Sequence, residues 1–296
     1  MSKEQLHAVL AAGAEFPPPQ NGSLDDLRAW FEAINAQIPI AEGIGIEHVS
    51  FGAAQGDLIR PGSGGGDGLI VYFHGGGFIF GSARSHRVIA SHLADRSGCS
   101  VLAVDYRLAP EHPAPAAYND AIAAFHWALD RGYRSEKIVY AGDSAGGNIA
   151  LQATLDLCGD GGKGPAALVL MSPALDFANE GDSHTSLSDA PLLTPELVGL
   201  YTSIHVGDRD PRSAAVTPLY RDLSSLPPVL IHVGTWERLR DDSLILAERL
   251  KAAGVPVEIK VWDGMVHSWQ LFAPMLDEGM ASIAEAANFA NHALGH

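Results

Sequence analysis

From Leu69 onward, the sequence alternates short apolar runs with longer helix-like segments. Six of these runs are almost continuous in apolar or β-branched residues: 69–73, 100–104, 137–141, 167–171, 229–233 and 257–262. Runs of this kind are typical of strands buried on both faces, as in a parallel sheet covered by helices. Helix-like segments lie between and after them, at 84–97, 116–130, 145–157, 242–252 and 278–293. The alternation predicts an α/β fold with a mostly parallel central sheet flanked by helices, preceded by a hairpin over 44–60.

Composition and charge limit the classes of function. The chain has 296 residues, 47% of them hydrophobic, which is enough for a large core. Its 19 Lys and Arg residues and 35 Asp and Glu residues give a formal net charge of −16, which repels phosphate backbones and anionic lipid heads. We therefore expect no nucleic acid partner and no stable membrane association.

The cysteine count and the absence of targeting patterns indicate the compartment. Cys99 and Cys158 are too few for a disulfide framework and have no companions that would complete a metal site. The N-terminus has no basic run followed by an apolar stretch, and no segment approaches about 18 consecutive apolar residues. The sequence predicts a cytoplasmic protein.

Two stretches depart from the alternation of strands and helices. Residues 1–40 contain Ser23 and Asp26 at the spacing of a capping box, and then apolar residues at helical spacing: Leu24, Leu27, Trp30, Phe31, Ile34 and Ile38. Residues of about 176–212 form a polar insertion between two strand signals. Because long excursions from an α/β core are commonly lids, we expect both stretches to form a helical cap on a catalytic domain spanning 41–296. Ordinary packing of the first stretch against the core is the alternative.

The pentapeptide Gly142-Asp143-Ser144-Ala145-Gly146 lies between a predicted strand and a predicted helix. In that setting a G-x-S-x-G turn lifts the serine hydroxyl above the sheet edge and directs the next backbone N–H toward the same space. Ser144 is therefore the candidate nucleophile, and a plain glycine-rich turn is the alternative. We expect Asp143 to make only a local hydrogen bond that holds the turn.

The glycine run of His74-Gly75-Gly76-Gly77 directly follows the first parallel strand signal. Consecutive glycines allow backbone N–H groups to point into a cavity, which suits an oxyanion hole. The candidate donors are Gly75, Gly76, Gly77 and Ala145. A phosphate loop is disfavoured because no Lys-Ser/Thr follows the run. We expect His74 to have a structural role.

A serine nucleophile needs a general base, and α/β-hydrolases carry it downstream, in the order Ser, acid, His. After Ser144, His184 and His205 lie in the insertion, His232 lies in a strand, and two further histidines end the chain. His267, between the last strand and the last helix, is the candidate base. An ordinary histidine pKa near 6.5 predicts activity that rises through about pH 6–7.

Three acidic residues compete on the loop after strand 229–233: Glu237, Asp241 and Asp242. Asp241 and Asp242 precede a helix, where capping and the helix dipole explain them. Glu237 is nearer the strand end, where it can hold the Nδ1–H group of His267. Glu237 is therefore the candidate acid, and Asp241 is the second choice.

From about residue 43 the sequence resembles the bacterial hormone-sensitive-lipase-like esterases of the α/β-hydrolase fold. The resemblance rests on the motifs at 74–78, 105–113, 142–147 and 226–228 and on the spacing through Glu237 to His267. It implies that Ser144 is the nucleophile, His267 the base and Glu237 the acid. Most members of the family have a sequence similar to Asp-Pro-Leu at the acid position, where this chain has Glu237-Arg238-Leu239. Because glutamate is one methylene longer than aspartate, its loop is expected to be set back slightly.

The resemblance implies a serine carboxylesterase that hydrolyses short-acyl esters through an acyl-enzyme intermediate, with no metal and no cofactor. The expected partner is a small-molecule ester, and a homodimer is left open. One alternative is an amidase or deacetylase with the same triad. Another is a non-catalytic small-molecule receptor on the same fold, which is disfavoured because such receptors resemble the family with the histidine replaced. Arg107 and Glu111 are expected to form a structural ion pair.

Overall fold

The computed structural model describes residues 2–20, 22–62 and 64–296. Met1 and Asn21, which belong to the first predicted cap stretch, lie outside the described residues. The strands are β1 (Gly45–Phe51), β2 (Ala54–Arg60), β3 (Leu69–Phe73), β4 (Ser100–Asp105), β5 (Ile138–Asp143), β6 (Ala167–Met171), β7 (Val229–Gly234) and β8 (Val257–Trp262). Each predicted strand is present within two residues of its expected ends.

These strands form one sheet in the order β1-β2-β4-β3-β5-β6-β7-β8. β1 and β2 form the predicted hairpin, β2 also runs antiparallel to β4, and every other neighbouring pair is parallel. The prediction of a mostly parallel α/β sheet is confirmed. Because parallel strands end at the same edge, the loops after β3, β5, β7 and β8 open on one side of the sheet.

Helices cover both faces of this sheet, and none in the described part of the chain is long and apolar enough to cross a membrane. They are α1 (Ser2–Ala14), α2 (Leu24–Asn35), α3 (Arg87–Ser97), α4 (Ala116–Asp130), α5 (Ala145–Cys158), α6 (Ser183–Ser186), α7 (Pro195–Val206), α8 (Arg240–Ala252) and α9 (Asp277–Leu294). α3 begins three residues later than predicted because Ser82 and Ser85 bond to each other's backbone N–H groups in a turn of their own.

The N-terminal stretch packs beside the loops at the carboxyl edge of the sheet. The predicted capping box of Ser23 and Asp26 is present and starts α2. The Phe31 ring of α2 lies 4.8 Å from that of Phe80, just past the glycine run. In α1, the side chain of Leu6 is buried in a cluster of large side chains with Trp262, Met265, Val266, Trp269 and Leu276. Both helices therefore contact segments that carry candidate site residues.

The expected ion pair between Arg107 and Glu111 is wrong. Arg107 instead pairs with Asp120, a buried residue of α4, at 2.8 Å. Glu111 accepts two hydrogen bonds of 2.8 Å from the guanidinium of Arg28 in α2. Glu111 lies beside α2, whereas Arg107 lies beside α4, so the two charges take partners from different elements.

Candidate active site

The serine turn connects β5 to α5 by a strained backbone. Ser144 has φ 52° and ψ −120°, a backbone conformation that residues other than glycine rarely adopt. The surrounding contacts must therefore enforce it. A Cβ atom at Gly146 would collide with the carbonyl oxygen of Phe73, so the turn packs against the end of β3 only with glycine there. The strand, the turn and the helix thus place the Ser144 hydroxyl above the carboxyl edge of the sheet.

His267 lies opposite this hydroxyl. Its Nε2 atom is 2.9 Å from Oγ of Ser144, within hydrogen-bond distance. The imidazole lies on the loop between β8 and α9 and is almost fully buried. Burial lowers the pKa of His267 to about 4, against a smaller opposing effect of the Asp143 charge. The ring is therefore neutral near pH 7 and able to accept a proton from the hydroxyl.

Glu237 is fully buried on the loop after β7, beside the same imidazole. Its Oε2 atom is 3.9 Å from Nδ1 of His267, longer than a hydrogen bond, and accepts the Ser172 hydroxyl at 2.7 Å. Neither Nδ1 of His267 nor Oε1 of Glu237 has a hydrogen-bond partner among the described residues. Burial raises the pKa of Glu237 well above its usual value. The structure brings Glu237 to the correct ring atom and leaves a short gap between them.

The two competing acids have other partners. Asp241 accepts the backbone N–H of Ser183 at 2.9 Å. Asp242 accepts the N–H groups of Leu175 and Asp176 and contacts the imidazole of His184 at 2.8 Å. Both carboxylates therefore join the start of α8 to the insertion. These are contacts between distant segments, whereas the sequence predicted only local capping of the helix.

The oxyanion candidates are not equivalent. The N–H of Gly75 donates to Oδ1 of Asp143 at 2.9 Å, so Gly75 is not a free donor, contrary to the sequence prediction. The N–H groups of Gly76, Gly77 and Ala145 have no acceptor within the described ranges. The structure therefore narrows the candidate oxyanion donors to these three.

Asp143 makes more contacts than the single local hydrogen bond predicted from the sequence. Its carboxylate accepts the hydroxyl of Tyr72, the N–H of Gly75 and, at 3.0 Å, the hydroxyl of Ser268. These partners are 68 to 125 residues away, so the bonds are not local. His74, in contrast, has the expected structural role, with Nδ1 2.7 Å from the oxygen of Gly75.

The insertion contributes an aromatic wall beside the glycine run. The ring of His205, in α7, stacks on that of Phe78 at 3.7 Å. A Cβ atom on Gly77 would lie only 2.7 Å from Cβ of Tyr201, so α7 contacts the glycine run itself. Phe177 packs against both Tyr201 and His205. The insertion thus covers one side of the glycine run.

The fold and the arrangement of Ser144 and His267 are those of an α/β-hydrolase. A family model described as the alpha/beta hydrolase fold matches residues 70–271. The chain is 39% identical to an acetyl-hydrolase of Streptomyces hygroscopicus over 249 residues, 83% of each chain. It superposes on a solved esterase of the bacterial hormone-sensitive lipase family with a TM-score of 0.94, at 38% identity and 99% coverage of both chains.

A second solved structure, of EstE5 soaked with p-nitrophenyl butyrate, matches with a TM-score of 0.92, 32% identity and 99% coverage of both chains. The chain belongs to the bacterial hormone-sensitive-lipase-like esterase family of the α/β-hydrolase fold. It is therefore a carboxylic ester hydrolase by family, as its sequence motifs predicted.

We expect Glu237→Gln to lower kcat by about 10²- to 10⁴-fold, because glutamine cannot stabilise an imidazolium at Nδ1. Asp241→Asn should lower kcat less than about threefold, since an asparagine oxygen still accepts the N–H of Ser183. Steady-state hydrolysis of 4-nitrophenyl acetate measures both, with thermal unfolding as the control for folding. A larger loss in the Asp241 variant would reassign the acid.

Proposed function

We propose that this protein is a serine carboxylesterase that cleaves short-acyl esters through an acyl-enzyme intermediate on Ser144. The observation that carries the proposal is the 2.9 Å contact between Oγ of Ser144 and Nε2 of a neutral, buried His267. The N–H groups of Gly76 and Gly77, on the loop after β3, and of Ala145, next to Ser144, have no acceptor among the described residues. The similarity to an acetyl-hydrolase and to a structure soaked with p-nitrophenyl butyrate supports short acyl groups.

The first half of the reaction forms the acyl-enzyme. Oγ of Ser144 attacks the ester carbonyl carbon while Nε2 of His267 takes the hydroxyl proton. The carbonyl oxygen becomes an oxyanion, which the N–H groups of Gly76, Gly77 and Ala145 stabilise. When the carbonyl re-forms, the bond to the alcohol oxygen breaks and His267 returns its proton to that oxygen. The products of this half are the free alcohol and acylated Ser144.

The second half repeats these steps with water. His267 takes a proton from a water molecule whose oxygen attacks the acyl carbon, and the same N–H groups stabilise the oxyanion. The bond to Oγ of Ser144 then breaks, and His267 returns the proton to Oγ. The carboxylic acid leaves and the resting serine is restored, so no cofactor is consumed.

Glu237 assists both halves by stabilising the imidazolium. When His267 holds two ring protons, its positive charge opposes the effect of burial on Glu237, favours the ionised carboxylate and attracts it to Nδ1, so the 3.9 Å gap can close. Catalytic hydrogen bonds are often long in the free enzyme and shorten during the reaction. The hydroxyl of Ser172 keeps the Glu237 carboxylate on the correct side of the ring.

The contacts of α2 and α7 with the glycine run support a limit on acyl size. Tyr201 and His205 close the space beside the glycine run from α7, and Phe31 of α2 packs behind the same segment. A long acyl chain needs an open groove along the surface, and these aromatic side chains occupy the space beside the glycine run where such a groove would begin. Small, water-soluble esters are therefore the proposed substrates.

A series of 4-nitrophenyl esters tests the proposal. We expect kcat/KM to be high from acetyl to about hexanoyl and to fall by about tenfold or more at decanoyl, because the additional methylene groups have no apolar surface to contact. Equal rates for decanoyl esters would refute the size limit.

The serine mechanism is tested by substitution. Ser144→Ala should lower kcat by about 10⁴-fold or more. Ser91→Ala should not, because Ser91 is a buried serine of α3 that bonds to Ala41. Activity retained in the Ser144 variant would refute the serine mechanism.

The buried histidine makes a separate prediction about pH. Because the pKa of His267 is lowered to about 4, the imidazole stays neutral well below the pH range expected for an ordinary histidine. We expect kcat/KM to change by less than about twofold between pH 8 and pH 5.5, where a histidine with a pKa near 6.5 would lose about tenfold. Circular dichroism at each pH verifies that the protein is folded. A midpoint near pH 6.5 would contradict the burial effect.

A further inference from the structure

Ser268 directly follows the candidate base and has an unusual backbone. Its φ of 48° and ψ of 39° lie in the left-handed region, which serine adopts rarely. Ser268 is 4% exposed and directly precedes the helical turn Trp269–Met275. This conformation sets the direction in which the chain leaves His267. Contacts that hold the backbone of Ser268 therefore also hold the imidazole of His267.

The side chain of Ser268 connects two loops of the site. Its hydroxyl donates to Oδ2 of Asp143 at 3.0 Å. The other oxygen of that carboxylate accepts the N–H of Gly75 at 2.9 Å. Asp143 also immediately precedes Ser144 in the chain. One buried carboxylate therefore joins the loop of the base to the glycine run, beside the nucleophile.

The backbone of Ser268 connects the base to the acid. Its N–H donates to Oγ of Ser172 at 3.3 Å, and the hydroxyl of Ser172 donates to Oε2 of Glu237 at 2.7 Å. The loop of His267 is thus tied on one side to the acid and on the other to the glycine run. Ser268 is the residue at which the two connections meet.

We propose that Ser268 is a positioning residue for His267: its hydroxyl on Asp143 and its N–H on Ser172 hold the left-handed backbone that directs Nε2 of His267 onto Ser144. The inference rests on the proposed function, because it takes His267 as the base. Ser268 itself touches no reacting atom. Its loss should allow the imidazole to leave the geometry in which proton transfer is efficient.

The charge of Asp143 makes its donors important. Burial raises the pKa of Asp143, and the hydroxyl groups of Tyr72 and Ser268 are the largest opposing influences. The imidazoles of His267 and His74 also lower the pKa of Asp143, but less than these two hydroxyl groups do. The two hydroxyl groups reach the same carboxylate from different elements, since Tyr72 lies in β3 and Ser268 on the loop of the base.

This difference supplies a matched pair of variants. Ser268→Ala and Tyr72→Phe each remove one hydroxyl from Asp143, but only the first releases the loop of the base. We expect Ser268→Ala to lower kcat by about 10- to 100-fold with KM within about twofold of wild type. Tyr72→Phe should lower kcat at most about threefold. Equal losses of kcat would assign the effect to Asp143 and overturn the role of Ser268.

Ser268→Gly separates the hydroxyl from backbone strain. Glycine adopts positive φ without penalty, so this variant should unfold at a temperature at least as high as Ser268→Ala and yet show the same loss of kcat. Active-site titration with a small organophosphonate gives the number of reactive serines, so that kcat refers to folded sites. Wild-type kcat per site in either variant would overturn the inference.

The same experiment includes His267→Ala, which distinguishes failure of this inference from failure of the proposed function. If His267→Ala is inactive but Ser268→Ala is not, only the positioning role is wrong. If His267→Ala keeps wild-type activity, the histidine is not the base, and both the mechanism and the positioning role fail.

Discussion

The strained turn at Ser144 is the constraint on which the rest of the site depends. Ser144 has φ 52° in the turn between β5 and α5. The same turn requires glycine at position 146, because the backbone there packs directly against the end of β3. β3 and β5 are adjacent parallel strands, and their register begins with Leu69 beside Ile138. The turn therefore fixes the nucleophile relative to the glycine run that follows β3, and the loops after β7 and β8 reach it from the same edge of the sheet.

Burial of polar groups gives this site its chemical character. Burial keeps the imidazole of His267 neutral, so that it can act as a base near pH 7. It also raises the pKa values of Asp143 and Glu237, whose carboxylates are held by hydroxyl and N–H donors from distant segments. Such donors offset part of the cost of burial: two hydroxyl groups bond to Asp143 and one bonds to Glu237.

The sequence predicted those features that depend on local pattern. Continuous apolar runs located the strands, and the capping box located the start of α2, because burial and capping leave a signal within a few residues. The pentapeptide and the glycine run located two loops of the site for the same reason. The engagement of Gly75 by Asp143, the pairing of Arg107 with Asp120 and the gap between Glu237 and His267 were not predictable, because each depends on segments that meet only in the folded chain. The low pKa of His267 belongs with them, since burial by distant elements causes it.

The proposed activity depends on activation of the Ser144 nucleophile by His267. Reaction with a fluorophosphonate, followed by peptide mapping in a mass spectrometer, tests it most directly, because the reagent forms a stable bond only with an activated serine. We expect one phosphonyl group per chain, on the peptide that contains Ser144, with loss of esterase activity in proportion to labelling. We also expect His267→Ala to react far more slowly. Inactivation with the label on another residue, or labelling at an unchanged rate without His267, would refute the activation of Ser144 by His267.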